Sequence, residues 1–241
     1  ERFGARFKAS YIKAVDFSHP PFTVMAEDAT LQSQALIIAT GATARRLGLE
    51  SERKLMGRGV SACATCDGFF FRGKKVIVVG GGDSAMEEAT FLTRFAEHVY
   101  IVHRRKELRA SRILQDRAQS NSKISFIWNS VVEDILDVNL GKVTGVRLRN
   151  VVTNDLTEMP IDGVFVAIGH EPNTDFVKGQ IELDAKGFIV CLGDSSQTSM
   201  EGVFAAGDVI DPVYKQAVTA AASGCRAAVD CDRYLASLKK M

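Results

Sequence analysis

Hydrophobic and polar positions change period along this chain, and the clearest change lies in its middle. Val76-Ile77-Val78-Val79 is a short uninterrupted apolar run, the pattern of a strand buried on both faces. Gly80-Gly81-Gly82 ends it. From Asp83 to Arg94 the residues Ala85, Ala89 and Leu92 recur on one helical face. A second run, Val99-Tyr100-Ile101-Val102, leads into the basic His103-Arg104-Arg105 and a helical pattern from Glu107 to Gln119. The unit reads as βαβα.

On the N-terminal side, Phe7 to Asp28 carries two β-like runs around the break His19-Pro20-Pro21, and the apolar Ala35 to Ala39 ends in Thr40-Gly41. A buried strand entering a Gly turn is the plain reading there. Arg45 to Gly59 is polar and contains glycine, which suits a crossing between domains. Further on, Ile124 to Trp128 reads as a strand. The runs Val131 to Val138 and Val143 to Val151 flank Asn139-Leu140-Gly141-Lys142, a hairpin signal. Val164 to Ile168 is a strand ending at Gly169, Val203-Phe204-Ala205-Ala206 is another meeting Gly207-Asp208, and Ala217 to Leu238 is helical and rich in alanine. The expected fold is α/β and doubly wound, with a small β-meander inserted. Neither tandem repeats nor low-complexity segments occur.

Composition narrows the function. The 241 residues are 46% hydrophobic and 24% charged, which is globular, and 30 Lys+Arg against 29 Asp+Glu leave a net charge of only +1. No global field points to nucleic acid or to an anionic membrane. The apolar runs fall far short of the roughly 20 residues that cross a bilayer. Five cysteines include one close pair, an arrangement unlike a secreted disulfide scaffold, so a reducing cytoplasmic setting is expected.

That pair carries the chemistry. Cys63 and Cys66 stand three positions apart in Ser61-Ala62-Cys63-Ala64-Thr65-Cys66-Asp67-Gly68, the spacing of a reversible disulfide on a tight turn. Half of a zinc site is the competing reading, but no second CxxC or paired histidine follows at ligand spacing, and no metal is expected. Asp67 places an acid next to the thiols, where it can serve a departing thiolate or merely cap a turn. Cys191, Cys225 and Cys231 read as small buried hydrophobes.

The glycine run has a second use. Gly80-Gly81-Gly82-Asp83-Ser84-Ala85 fits G-x-G-x-x-A between a strand and a helix, as a dinucleotide site requires. The motif's first Gly makes the tight turn, its second admits a pyrophosphate to the helix N-terminus, and Ala85 permits close helix–strand packing. At the end of the next strand an NAD enzyme usually offers an acid. Here Arg104 and Arg105 stand instead, with Arg109 shortly after, and guanidinium forks favour the 2′-phosphate of NADPH. His103 is either a flank for the adenosine or a structural residue.

These motifs together resemble the low-molecular-weight, FAD-containing thioredoxin reductases, with the match extending over nearly the whole chain. The similarity runs through Ala62 to Gly68, Gly80 to Glu88, His103-Arg104-Arg105 with Arg109-Ala110-Ser111, Ala167 to Asn173 and Gly202 to Val209. It implies two Rossmann-like domains of the three-layer ββα kind, an NADPH domain with the CxxC over residues 46–168 inserted in an FAD domain made of 1–45 and 169–241. It also implies that Cys66 faces the flavin, Cys63 attacks the disulfide of thioredoxin, and Asp67 is the acid–base group. Gly41, Gly207 and Asp208 would bind FAD, with Gln216-Ala217-Val218 against its ring, and Ile168 and Gly169 would line the nucleotide site. Members are homodimers that rotate one domain between half-reactions, which places hinges near Thr43 to Leu47 and Ile168 to Pro172. Family members open with an FAD-binding strand and Gly turn lying before the region that matches Glu1, so an N-terminally incomplete FAD domain is expected of the stretch given. Two rivals follow: a flavoprotein reductase that serves a peroxiredoxin, and a flavin-free NADPH-binding redox module.

Overall fold

The computed structural model describes Arg2 and residues 4–239. In chain order the elements begin with β1 (Ile12–Asp16), β2 (Phe22–Ala26), β3 (Thr30–Ser33), β4 (Leu36–Ile38) and β5 (Ala42–Ala44). There follow α1 (Glu50–Leu55), β6 (Val60–Ser61), α2 (Ala64–Asp67), β7 (Lys75–Val79), α3 (Asp83–Leu92), β8 (His98–Val102), α4 (Arg112–Gln119) and β9 (Ile124–Ile127). Next come β10 (Ser130–Ile135), β11 (Gly145–Asn150), β12 (Leu156–Pro160), β13 (Gly163–Val166), β14 (His170–Pro172), β15 (Val203–Ala205) and α5 (Ala217–Leu238). They form two compact units, one of residues up to Thr43 and from Glu171 onward, the other of Ala44–His170.

The second unit is a three-layer sandwich. Its centre is a parallel sheet in the order β6-β13-β7-β8-β9. Along β7 the side chains alternate between two cores: Val76 and Val78 pack with Ala85, Met86, Ala89 and Leu92 of α3, while Ile77 and Val79 pack with Val132, Val146 and Leu148 of the antiparallel β10-β11-β12 meander. Burial on both faces explains why β7 reads as an unbroken apolar run. Ile77 is wholly excluded from solvent, and burial of that kind is worth about 1.5–3 kcal/mol for one aliphatic side chain.

The first unit holds the antiparallel sheet β1-β2-β3 and the parallel pair β4-β15. Phe17, Phe22, Ile38, Val203 and Val209 make its core, and the long α5 closes over Phe204 and Ala206 with Ala227. A reciprocal cap between Gln216 and Thr219 starts α5.

Several features depart from the sequence reading. Cys225, expected to be buried, is exposed, and Cys191 and Cys231 are only half-buried. The helix expected from Glu107 begins only at Arg112, so Arg109 sits on a loop. The physical reason lies in its donors: Arg109 and Ala110 N–H both point to the Gly81 carbonyl, at 2.7 and 3.2 Å, and cannot join a helical ladder. The polar stretch from Arg45 contains α1, a short helix that buries Ser51, Glu52 and Leu55 and leaves Glu50, Arg53 and Lys54 outward.

Candidate functional site

Cys63 and Cys66 form a disulfide, with Cα atoms 5.3 Å apart. Cys63 is the N-cap of α2, and its Sγ accepts the Cys66 N–H at 3.2 Å and lies 3.4 Å from the Thr65 hydroxyl. Ser61 brackets it from the other side, its hydroxyl accepting the Cys63 N–H at 3.0 Å. Once the bond opens, such donors stabilise a sulfur anion better than a neutral thiol. Cys66 is exposed and Cys63 half-buried. Asp67 follows directly, its N–H held by the Cys63 carbonyl at 3.2 Å, and it lines a cleft of about 680 Å³ with Arg58, Ser61, Phe70, Lys74 and Lys142.

Sequence reasoning passed over two exposed neighbours, Phe69 and Phe70, at 60% and 69% exposure. Both rings stand in water close to the disulfide, packed edge-on to one another. Their signal was present in the run Phe69-Phe70-Phe71, whose third member alone turns inward against Phe165.

The glycine turn is shaped from within. A Cβ on Gly80 would collide with the Ala167 carbonyl and Ala85, and one on Gly81 would enter the His103 ring, whereas the space around Gly82 is open. Gly82 is the N-cap of α3, with Ser84 and Asp83 exposed in the first turn. An anion therefore has room to approach the free N–H groups there. Ala85 is fully buried against the turn.

Around the turn stand Arg104, Arg105 and Arg109, all exposed. His103 is buried and bonded through Nε2 to the Glu107 carbonyl at 3.1 Å. Its pKa is lowered by burial first, against that bond, and then by Arg109, Arg104 and Arg105. His103 thus supports the loop rather than adding a cation to it. Asp83 completes the support by accepting the Ser111 N–H at 2.6 Å. At the end of β13, Ala167 N–H bonds the Val79 carbonyl at 2.9 Å, which carries half-buried Ile168 and Gly169 to the same edge of the sheet.

The remaining expected residues lie in the first unit. Gly41 and Gly207, both at positive φ, follow the C-terminal ends of the adjacent parallel strands β4 and β15. Gly207 N–H is fixed by the Ser223 hydroxyl at 2.9 Å, and Asp208 is half-buried beside it. The segment opening α5 leaves Val213, Tyr214 and Val218 exposed, together with Ala217, while Gln216 is half-buried. Among the described residues no group of three or more His, Cys, Asp or Glu could hold a metal ion, and no helix is long and apolar enough to cross a membrane.

A dinucleotide turn and a thiol pair carried on one α/β unit define a class, the nucleotide-dependent disulfide oxidoreductases. The chain belongs to the pyridine nucleotide-disulphide oxidoreductase family, whose model matches residues 5–224, and within it falls among the thioredoxin reductases. It is 52% identical to the thioredoxin reductase of Mycolicibacterium smegmatis, over 98% of this chain and 75% of that one. Its identity to the Streptomyces coelicolor thioredoxin reductase is 50%, over 99% and 74%. Among solved structures, thioredoxin reductase from Giardia duodenalis superposes with a TM-score of 0.91 at 42% identity, covering 98% of this chain and 77% of that one. The Streptococcus pyogenes enzyme gives 0.88 at 43%, over 95% and 74%.

Proposed function

We propose that the chain carries electrons from NADPH, by way of FAD, to the Cys63–Cys66 disulfide and on to the disulfide of a thioredoxin. The observation that carries this reading is the placement of a thiol pair and a G-x-G-x-x-A turn in one unit.

Gly80, Gly81, Gly82, Asp83, Ser84 and Ala85 would hold the NADPH pyrophosphate, Arg104, Arg105 and Arg109 its 2′-phosphate, and His103, Ile168 and Gly169 the walls around it. Open space at Gly82 and exposed guanidiniums fit that group. Gly41, Gly207, Asp208, Gln216, Ala217 and Val218 would hold FAD, and the turn geometry at both strand ends fits a nucleotide. Bound at these sites, NADPH would supply a hydride equivalent and FAD a two-electron carrier between it and the thiol pair.

The chain's own groups do the rest. Cys63 attacks the partner disulfide as a thiolate favoured by the Cys66 N–H and the Thr65 hydroxyl. Asp67 moves the proton at the thiol pair, and exposed Phe69 and Phe70 offer apolar contact to a protein partner. The reading includes rotation about the two crossing segments between half-reactions, a homodimer and a cytoplasmic setting. The test is an assay of purified protein for flavin absorbance and for NADPH oxidation on adding thioredoxin. Turnover with peroxiredoxin but not thioredoxin, or a colourless inactive protein, would replace this reading by one of its rivals.

A further inference from the structure

The one tryptophan of the chain, Trp128, stands where the arginine-bearing loop meets the edge of the parallel sheet. It directly follows β9, and Phe126, two residues earlier on the same face, lies flat against it with ring centroids 4.9 Å apart and planes 5° from parallel. Phe126 itself packs onto the core that holds Val99, Ile101 and Ala118. The His103 ring meets Trp128 edge-on, at 6.5 Å between centroids and 78° between planes. His103 in turn fills the space beside Gly81 that a Cβ would need. Three rings in succession thus link the sheet edge to the glycine turn.

The main chain repeats the link. β8 and β9 pair as far as Val102 and Ile127, and the bonds beyond that point serve the loop. His103 N–H donates to the Ile127 carbonyl and Ser130 N–H to the His103 carbonyl, both at 3.0 Å. Asn129, left-handed at φ 50, directs its N–H to the Arg105 carbonyl at 3.4 Å, a conformation that asparagine adopts more readily than most residues. The backbone of Arg104 and Arg105 is therefore laid along the turn that carries Trp128.

We infer that Trp128 is a positioning residue for NADPH selectivity: its ring holds His103 against the Gly81 turn and so fixes the main chain from which Arg104 and Arg105 reach a 2′-phosphate. The inference rests on the reading of those arginines as the 2′-phosphate site. A guanidinium on a fixed backbone has less freedom to lose when it binds. Truncating Trp128 opens a gap beside His103 and returns that freedom. The N-terminus of α3 is held separately, by the fully buried Ala85 and Met86, so the loss falls on ligands that carry the 2′-phosphate.

The test titrates the flavin-loaded protein with NADP+ and with NAD+ by calorimetry. Trp128→Ala should weaken NADP+ by about tenfold, the effect of impairing one charge-assisted contact, and leave NAD+ nearly unchanged. Trp128→Phe keeps a ring between Phe126 and His103 and should recover most of the NADP+ affinity. Trp128→Leu, apolar but without a ring, replaces the alanine variant if that one does not fold, with the same loss expected. Equal weakening of both nucleotides, or wild-type affinity for both, would overturn the positioning role, and a folded Trp128→Phe as weak as Trp128→Ala would refute the ring contact as its cause. A wild-type protein that binds NADP+ no more tightly than NAD+ would instead overturn the reading of the arginines beneath it.

Discussion

The Asp83 carboxylate accepts the Ser111 N–H at 2.6 Å, tying the first turn of α3 to the segment that leads into α4. Together with the bonds from Arg109 and Ala110 to the Gly81 carbonyl, this fixes the loop bearing the arginines before any nucleotide arrives. Removing the acceptor in Asp83→Ala leaves Ser111 N–H unpaired and loosens that loop. The expected loss is about 1–2 kcal/mol in NADPH affinity, read by isothermal titration with unchanged flavin content. Wild-type affinity would show that Gly81 alone suffices.

Arg104→Ala with Arg105→Ala removes two guanidiniums from the nucleotide-facing loop. At roughly 1.5 kcal/mol for each charge-assisted contact, NADPH affinity should fall by about 100-fold. Binding of NADH, which lacks the 2′-phosphate, should hardly change. An unaltered preference between the two would place the selector on other residues.

Cys63→Ser deletes the sulfur that caps α2 and accepts the Cys66 N–H. Thioredoxin reduction should disappear while NADPH binding persists, since the dinucleotide turn contains none of these atoms. Stopped-flow flavin reduction paired with a thioredoxin assay separates the two outcomes. Normal turnover in this variant would remove Cys63 from the mechanism.

Glu88 on α3 predicts a pH dependence of stability. Burial raises its pKa from 4.5 in the unfolded chain to about 7 when folded, so between those values the native state holds a proton that the unfolded state has released. The stability tied to this proton is fully present below about pH 4.5 and is lost as pH climbs through 7, a difference of roughly 3 kcal/mol. Glu88→Gln has no such proton to lose. Urea unfolding should therefore show the variant gaining on wild type at pH 8 and hardly at pH 5, and equal gains at both would contradict the buried carboxylate.

Much of this was legible before any coordinates. β7, the glycine turn, α3 and β8 announce themselves because both faces of the sheet are buried, which forces continuous apolar runs bounded by glycine. The whole of α5 was readable from its alanines. Other elements carried weaker marks. β12 was unforeseen because most of its side chains face solvent at a sheet edge, leaving no pattern to read. The segment Glu107 to Ser111 reads as helical because its composition is helical, and only the contacts to Gly81 and Asp83, distant in sequence, override that preference. Nothing in the residues around Glu88 along the chain reveals that its carboxyl is buried with Oε2 left without a partner among the described residues.

Where the chain leaves its first unit and where it returns, the two segments pair as β5 and β14. Arg45 N–H donates to the Gly169 carbonyl at 3.0 Å, so the two ends of the second unit lie side by side despite the long chain between them. On the other side of the junction, Asn173 N–H donates to the Gly41 carbonyl, also at 3.0 Å, and the gap left behind is equally narrow. In genetic terms the inner unit is a cassette. A short linker joining its ends, with new termini opened in an exposed loop, is expected to give circularly permuted forms with the sheet order intact.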